Sequence, residues 1–178
     1  MIKTTFGKRN KTRKIIMDAA MDLFEAHEIK NVTFSDIAEA AGVSRTTVFN
    51  YFANQNELLA ALCEQEMIDI EEYCLKQEKE CGYRDVRHIF DQLVYDLALY
   101  PHLLAEITYS TILYRCDYNP VKNVEMMILE RVHDEEKTVV LLGAFYGIMN
   151  HYFVNNKKFD EDELKEKMHR YIDAILND

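Results

Sequence analysis

Residues 34–52 of this 178-residue chain read FSDIAEAAGVSRTTVFNYF. Thr33 stands before the run as a helix N-cap, and Asp36 three residues on supports the first turn. A short helix over 34–41 then buries Ile37 and Ala41, with Ala38 beside them. Gly42 stops it, as the residue that tolerates a left-handed conformation. Ser44 caps a second helix, from Arg45 to Phe52. The small Ala38 and Ala41 let the two helices cross closely, and Val43 and Val48 bury the inner side of the pair. Ser44, Arg45, Thr46, Thr47 and Asn50 leave polar groups outside. This is the pattern of a helix-turn-helix, whose second helix lies in the major groove of DNA. Arg suits guanine, Asn suits adenine, and Thr suits a thymine methyl or a phosphate. The alternative is an ordinary helical hairpin with a solvated polar face, and the completeness of the pattern weighs against it.

Working outward, residues 8–26 form a helix whose stripe is Ile16, Ala19, Ala20, Leu23 and Phe24. Asn54 caps the helix after the motif, with Glu57 at the N3 position of a capping box. That helix runs over 55–79 and is broken by Cys81, Gly82 and Tyr83. Asp85 caps a helix to Leu99, Pro101 opens another to about 115, and Pro120 follows Asn119 at a first helical position. Further helices span about 120–133, 136–156 and 161–176. With only 5 Gly and 2 Pro, the chain lacks the breakers an all-β fold uses. The expectation is an all-α protein of nine helices, with a DNA-binding domain over 1–55 and a helical domain over 56–178.

The formal net charge is −10, the wrong sign for a nucleic-acid binder if taken whole. It is unevenly spread. Residues 1–55 carry +2, with +6 before Asp18, and residues 56–178 carry −12. The charge therefore describes the second domain and leaves DNA binding by the first intact. An acidic body behind a modestly basic head suppresses non-specific binding.

Cys63, Cys74, Cys81 and Cys116 form no C-x-x-C, and the six histidines show no metal-ligand spacing. Neither a metal nor a cofactor is expected, and no nucleophile motif points to an enzyme. The basic N-terminus lacks a signal core, so a reducing cytoplasm is expected. Residues 138–156 carry no formal charge over near-spanning length, but Asn150, His151, Asn155 and Asn156 load one end with polar groups. A buried or interfacial helix is the reading, not a membrane span.

The stretch RKIIMDAAMDLFEAHEIKNVTFSDIAEAAGVSRTTVFNYFANQNELLAAL resembles the N-terminal domain of the TetR/AcrR family of transcriptional regulators. The likeness covers about residues 10–62 and is carried by A-A-x-x-L-F, T-x-x-D-I-A-x-x-A-G-V-S, F-N-Y-F and E-L-L in register. It implies a homodimer, most simply a repressor, on a palindromic operator, and a small-molecule effector in the larger domain. It also implies roles for residues. Thr33 and Ser44 sit near phosphates, Arg45, Thr46, Thr47 and Asn50 face bases, and Tyr51 reaches the backbone. Three positions depart from the family pattern. Glu28 replaces a Gly, Phe49 replaces a Tyr, and Gln55 replaces a Lys, so the core of the motif grips phosphates less strongly. Lys8, Arg9, Lys11 and Arg13, in a basic arm, compensate along phosphates or in the minor groove.

Gly143 and Gly147 share one helical face, and each costs about 1 kcal/mol relative to Ala in a helix interior. Close approach of another helix is the compensating reason. The resemblance implies that the last two helices of each subunit form a four-helix bundle across the dimer axis, with Gly143, Gly147, Leu164, Met168 and Ile172 at the interface. For an effector pocket, Tyr109, Met126, Phe145, Tyr146 and Met149 are the candidate lining. The acidic excess favours a lipophilic cation as effector. The alternative function is a helical adaptor of the same fold that works through protein contacts without a small ligand.

Overall fold

The computed structural model describes residues 3–76, 84–113 and 119–177. Among them lie nine α-helices and no strand, which makes the chain all-α. They are α1 (Lys3–Ala26), α2 (Phe34–Ala40), α3 (Arg45–Tyr51), α4 (Gln55–Lys76) and α5 (Arg84–Leu99). There follow α6 (Pro101–Leu113), α7 (Pro120–Val132), α8 (Glu135–Val154) and α9 (Glu161–Leu176). A 3-10 turn, Ile29–Asn31, joins α1 to α2. The chain divides into two compact units, Met1–Cys63 and Glu64–Asp178. The 55/56 boundary suggested by sequence falls at the start of α4, whose first turns stay with the first unit because Leu58, Ala61, Leu62 and Cys63 are buried.

In the first unit, Ile16, Ala20 and Phe24 recur every fourth residue on α1 and are buried, as are Ile37, Val48, Phe52 and Leu58, all within 1% of full burial. Burying a large apolar side chain fully contributes roughly 1.5–3 kcal/mol. A handful of such residues is what holds so small a unit. α1 begins at Lys3, so the basic segment expected as an arm is the N-terminal part of this helix.

In the second unit, α5, α7, α8 and α9 enclose one apolar cluster with the end of α4, centred on Ile89, Phe90, Leu97, Ile128, Leu141 and Met149. Three of its helices carry side-chain caps. Asn119 accepts from the Lys122 amide at 2.9 Å, Asp134 from Lys137 at 3.0 Å, and Asp160 from Glu163 at 3.1 Å. Asp85, expected as a cap, lies in the first turn of α5 instead. The break expected at Cys81, Gly82 and Tyr83 lies outside the described residues.

The stripe of α9 corrects one expectation. Leu164, Met168 and Ile172 are at most 1% exposed, packed with α5 and α8 in the core of their own unit. Their four-residue spacing is consumed within the subunit and leaves them unavailable to a second copy.

Candidate nucleic-acid interface

The local sequence of the first unit ties down two short helices by their side chains. At α2, Asp36 donates its amide to Thr33 Oγ1 at 3.3 Å, and the Thr33 amide returns a bond to Asp36 Oδ2 at 2.7 Å. The Thr33 hydroxyl also donates to Asp36 Oδ2, at 2.6 Å. These bonds from the Thr33 hydroxyl and amide hold the Asp36 carboxyl below its ordinary pKa. Gly42 takes φ +64°, where an L side chain is strained, and the Val43 amide donates to Ala38 carbonyl at 2.9 Å across the turn. At α3, the Thr47 amide donates to Ser44 Oγ at 3.0 Å. A helix so short has no propagation energy to spare, so these caps, each worth about 1 kcal/mol, decide its ends.

Ala38 and Val48 are the buried contacts of the helix pair. Ala41 and Val43 are half-buried. On the other side of α3, Arg45, Thr46, Phe49 and Asn50 are exposed. The expected base-facing set is thus brought together on one surface, with one qualification. The Thr47 hydroxyl lies 2.8 Å from Ser44 Oγ, so Thr47 is half-buried and engaged in the cap. Tyr51 is half-buried, with its ring 6.5 Å from that of Phe52.

Phe49 does something that its apolar character alone did not announce. It is 45% exposed, its ring lies edge-on to Phe34 at 4.9 Å, and the Arg45 guanidinium sits 5.3 Å from its centroid. One turn of helix separates the two residues, so Phe49 orders the arginine by a cation–π contact. A pairing of Arg with an aromatic residue at i, i+4 was the signal available for it in the sequence.

Gln55 has a structural role beside the charge it lacks. Its Nε2 donates to the carbonyls of Ile29 at 2.7 Å and Val32 at 3.2 Å. It therefore fastens the start of α4 to the turn that leads into Thr33. Glu28 opens that turn at φ −53°, a conformation that needs no glycine.

The basic residues of α1 divide. Lys11 is exposed, whereas Arg13 stacks over Phe52 at 5.4 Å and donates to Met17 Sδ at 3.1 Å. The side chains of Lys8 and Arg9 lie outside the described residues.

In the second unit the candidate pocket residues differ in burial. Phe145 and Met149 are core residues at 2% and 0% exposure, Tyr146 is half-buried, and Tyr109 and Met126 are exposed. Burial, with Glu125 nearby, pushes the Tyr146 hydroxyl up to about 12. Gly143 and Gly147 lie on the exposed face of α8, and a Cβ added at either would meet nothing within 4 Å. The described residues hold no cluster of three or more metal-ligating side chains, and no described helix is long and apolar enough to cross a membrane.

Known proteins match the same surface. Residues 16–62 match the family model described as bacterial regulatory proteins, tetR family. Over 51 residues the chain is 43% identical to the putative mycofactocin biosynthesis transcriptional regulator MftR of Mycobacterium tuberculosis, covering 29% of this chain and 26% of that one. It is 22% identical to the probable acrEF/envCD operon repressor of Escherichia coli, over 90% of this chain and 84% of the relative. The chain spans about a third or less of the length of the curated relatives that match it at 37 to 45% identity. Among solved structures, a putative TetR-family regulator from Rhodococcus sp. superposes with a TM-score of 0.74 at 15% identity, over 94% of this chain and 99% of that one.

Proposed function

We propose, from the premise that this chain belongs to the TetR/AcrR family of transcriptional regulators, that it represses transcription by binding a palindromic operator as a homodimer. A small-molecule effector in the second unit then releases it. The observation that carries the reading is the exposed face of α3. Arg45, Thr46 and Asn50 stand free of the core on a helix fixed at its start by Ser44, and Arg45 is held ready over Phe49. In this reading Arg45 and Asn50 contact base edges. Thr33, Ser44, Thr47 and Tyr51 approach phosphates, and Lys8, Arg9 and Lys11 lie along the backbone. Arg13, stacked on Phe52, acts mainly in folding. No cofactor or metal is needed and no reaction is catalysed. The protein works on DNA in the cytoplasm.

The dimer forms through α8. Its exposed face carries Val139, Val140, Gly143, Gly147 and Val154, and apolar or small side chains on one face are what a second copy would cover. Gly143→Leu should leave the subunit folded but monomeric by light scattering, and a dimer that survives counts against this interface.

An effector must bind the free and DNA-bound states with different affinity, or it shifts nothing. One observation favours a second reading, an adaptor of the same fold without an effector. Phe145 and Met149, candidates for a pocket lining, are buried in the core. Selection of bound duplexes from random DNA tests the main reading, followed by a screen for small molecules that release the winner. An inverted repeat with half-sites about one helical turn apart is expected. Failure to enrich one overturns the operator, and an operator that nothing releases favours the adaptor.

A further inference from the structure

Phe49 is the side chain on the outer face of α3 that the contacts assigned above leave without a partner on DNA. The helix turns Val48 inward and Phe49 outward, beside Arg45, Thr46 and Asn50. Among the described residues of the first unit, Phe49 and Ile15 are the large apolar side chains left exposed, and Phe49 is the more exposed of the two. A ring left in water forfeits the stabilisation that burying it would bring. The ring is nevertheless held in place. Phe34, itself buried, meets it edge-on at 4.9 Å, and the Arg45 guanidinium rests 5.3 Å from its centroid. An exposed aromatic ring fixed by two neighbours on a helix of seven residues is an apolar contact prepared for something outside the subunit.

What such a ring can meet in a major groove is narrow. Every base pair presents hydrogen-bond donors and acceptors there, and one apolar group, the 5-methyl of thymine. Phe has no hydroxyl to give to a phosphate or a base edge. A ring set against a donor or acceptor of another base would desolvate that group without replacing its hydrogen bond, which costs free energy. Geometry then sets the register. Arg45 and Phe49 are four residues apart, so their Cβ atoms lie about 5–6 Å from each other. Successive bases of one strand rise about 3.4 Å. The two side chains therefore address bases one or two steps apart, and Arg45 suits the O6 and N7 of guanine.

We propose that Phe49 reads the 5-methyl group of a thymine lying one or two base steps from the guanine that Arg45 contacts, so that the two side chains specify thymine and guanine together in each half-site. This rests on the reading of α3 as the recognition helix of an operator-binding protein. The cation–π contact couples the two choices. A ring seated on the methyl group keeps the guanidinium aimed at guanine, and loss of the methyl group loosens both. Thr46 is exposed on the same face and carries a methyl group of its own, which also suits thymine. The two residues are told apart by substitution.

The experiment takes the intact chain and the palindrome enriched from random DNA. Each thymine of the half-site is replaced in turn by deoxyuridine, symmetrically in both half-sites. Uracil keeps every hydrogen-bonding group of thymine and lacks only the methyl. Burying one methyl group corresponds to about a fourfold change in affinity, so one of these symmetric replacements should weaken binding about tenfold. The thymine concerned should lie within two steps of a guanine. In Phe49→Ala the thymine and uracil duplexes should bind alike. Phe49→Leu keeps an apolar side chain and should retain a thymine preference of about threefold. Thr46→Ser removes the competing methyl group and should leave the tenfold ratio unchanged. Each value compares two duplexes on one variant, so a change in the folded fraction cancels. A half-site in which no thymine responds, a ratio that survives in Phe49→Ala, or a ratio that vanishes in Thr46→Ser would each overturn the proposal while the enriched palindrome leaves the operator reading standing. Phe49 would then serve only as a support for Arg45, and its loss would weaken both duplexes equally. Failure to enrich any palindrome removes the operator reading and this proposal with it.

Discussion

In the first unit Arg45, Thr46 and Asn50 stand exposed on a seven-residue helix, whereas in the second Glu66 and Asp96 are enclosed between long helices. The difference follows from what holds each unit together. α2 and α3 are too short to persist by themselves, so the caps at Thr33 and Ser44 fix them and a few buried residues dock them. Their outer faces are then free to carry recognition groups. The long helices of the second unit are held by buried area, and its unusual groups are found where that burial is imperfect. In the proposed reading, a surface that reads DNA and an interior packed for stability place opposite demands on polar groups.

The contrast can be broken most forcefully in the core. Ile128→Ala, at a position with no exposure, should remove about 2–5 kcal/mol from the second unit in denaturant titrations. A loss below 1 kcal/mol, on the order of an exposed-site change, would contradict the claim that buried area holds this unit. Arg45→Ala should cost about 1–3 kcal/mol of specific DNA affinity and leave the melting temperature unchanged. Phe49→Ala should reproduce part of that loss, because Arg45 then has no ring to rest on. Equal affinity in Phe49→Ala would show that the stacking is incidental. Ser44→Ala should destabilise the first unit by about 1 kcal/mol, seen as faster amide exchange through α3.

Acidity sharpens the comparison further, because the two units titrate in opposite senses. Asp36 has a lowered pKa, so its contribution is present above the ordinary carboxylate range and is lost as pH falls through the folded value. Burial raises Glu66 well above its ordinary value and raises Asp96 as well, with each near a like charge. A raised carboxyl binds its proton more tightly in the folded chain, so its stabilisation is complete at low pH and is lost as pH rises through the folded value. Hydrogen exchange across a pH series should show α2 loosening toward acid and the Glu66 region of α4 loosening toward base. Glu66→Gln should abolish the second trend and spare the first.

The motif at 34–52 was legible because each of its constraints is local. A cap, a turn at positive φ and a periodic apolar residue all act within a few residues of the chain. The same locality made the helix start at Asn119 and Pro120 readable. The bonds of Gln55 were not legible because its partners, Ile29 and Val32, lie more than twenty residues away and are backbone carbonyls that no side-chain pattern marks. Leu164, Met168 and Ile172 were readable as an apolar stripe, but a stripe does not say whether its own subunit or a copy will cover it. The Glu66–Asp96 pair was invisible for a similar reason. Thirty residues apart on different helices, the two acids read as solvated charges until packing brings them together.

The central claim is that the exposed face of α3 reads DNA sequence, and competition binding tests it most directly. Fluorescence anisotropy would compare the palindrome selected from random DNA with a scrambled duplex at several salt concentrations. The account predicts that the intact chain prefers the palindrome by roughly 10³-fold or more, and that Arg45→Ala lowers this preference while binding to the scrambled duplex barely changes. Equal affinity for both duplexes, or a preference that survives Arg45→Ala and Asn50→Ala together, would contradict it.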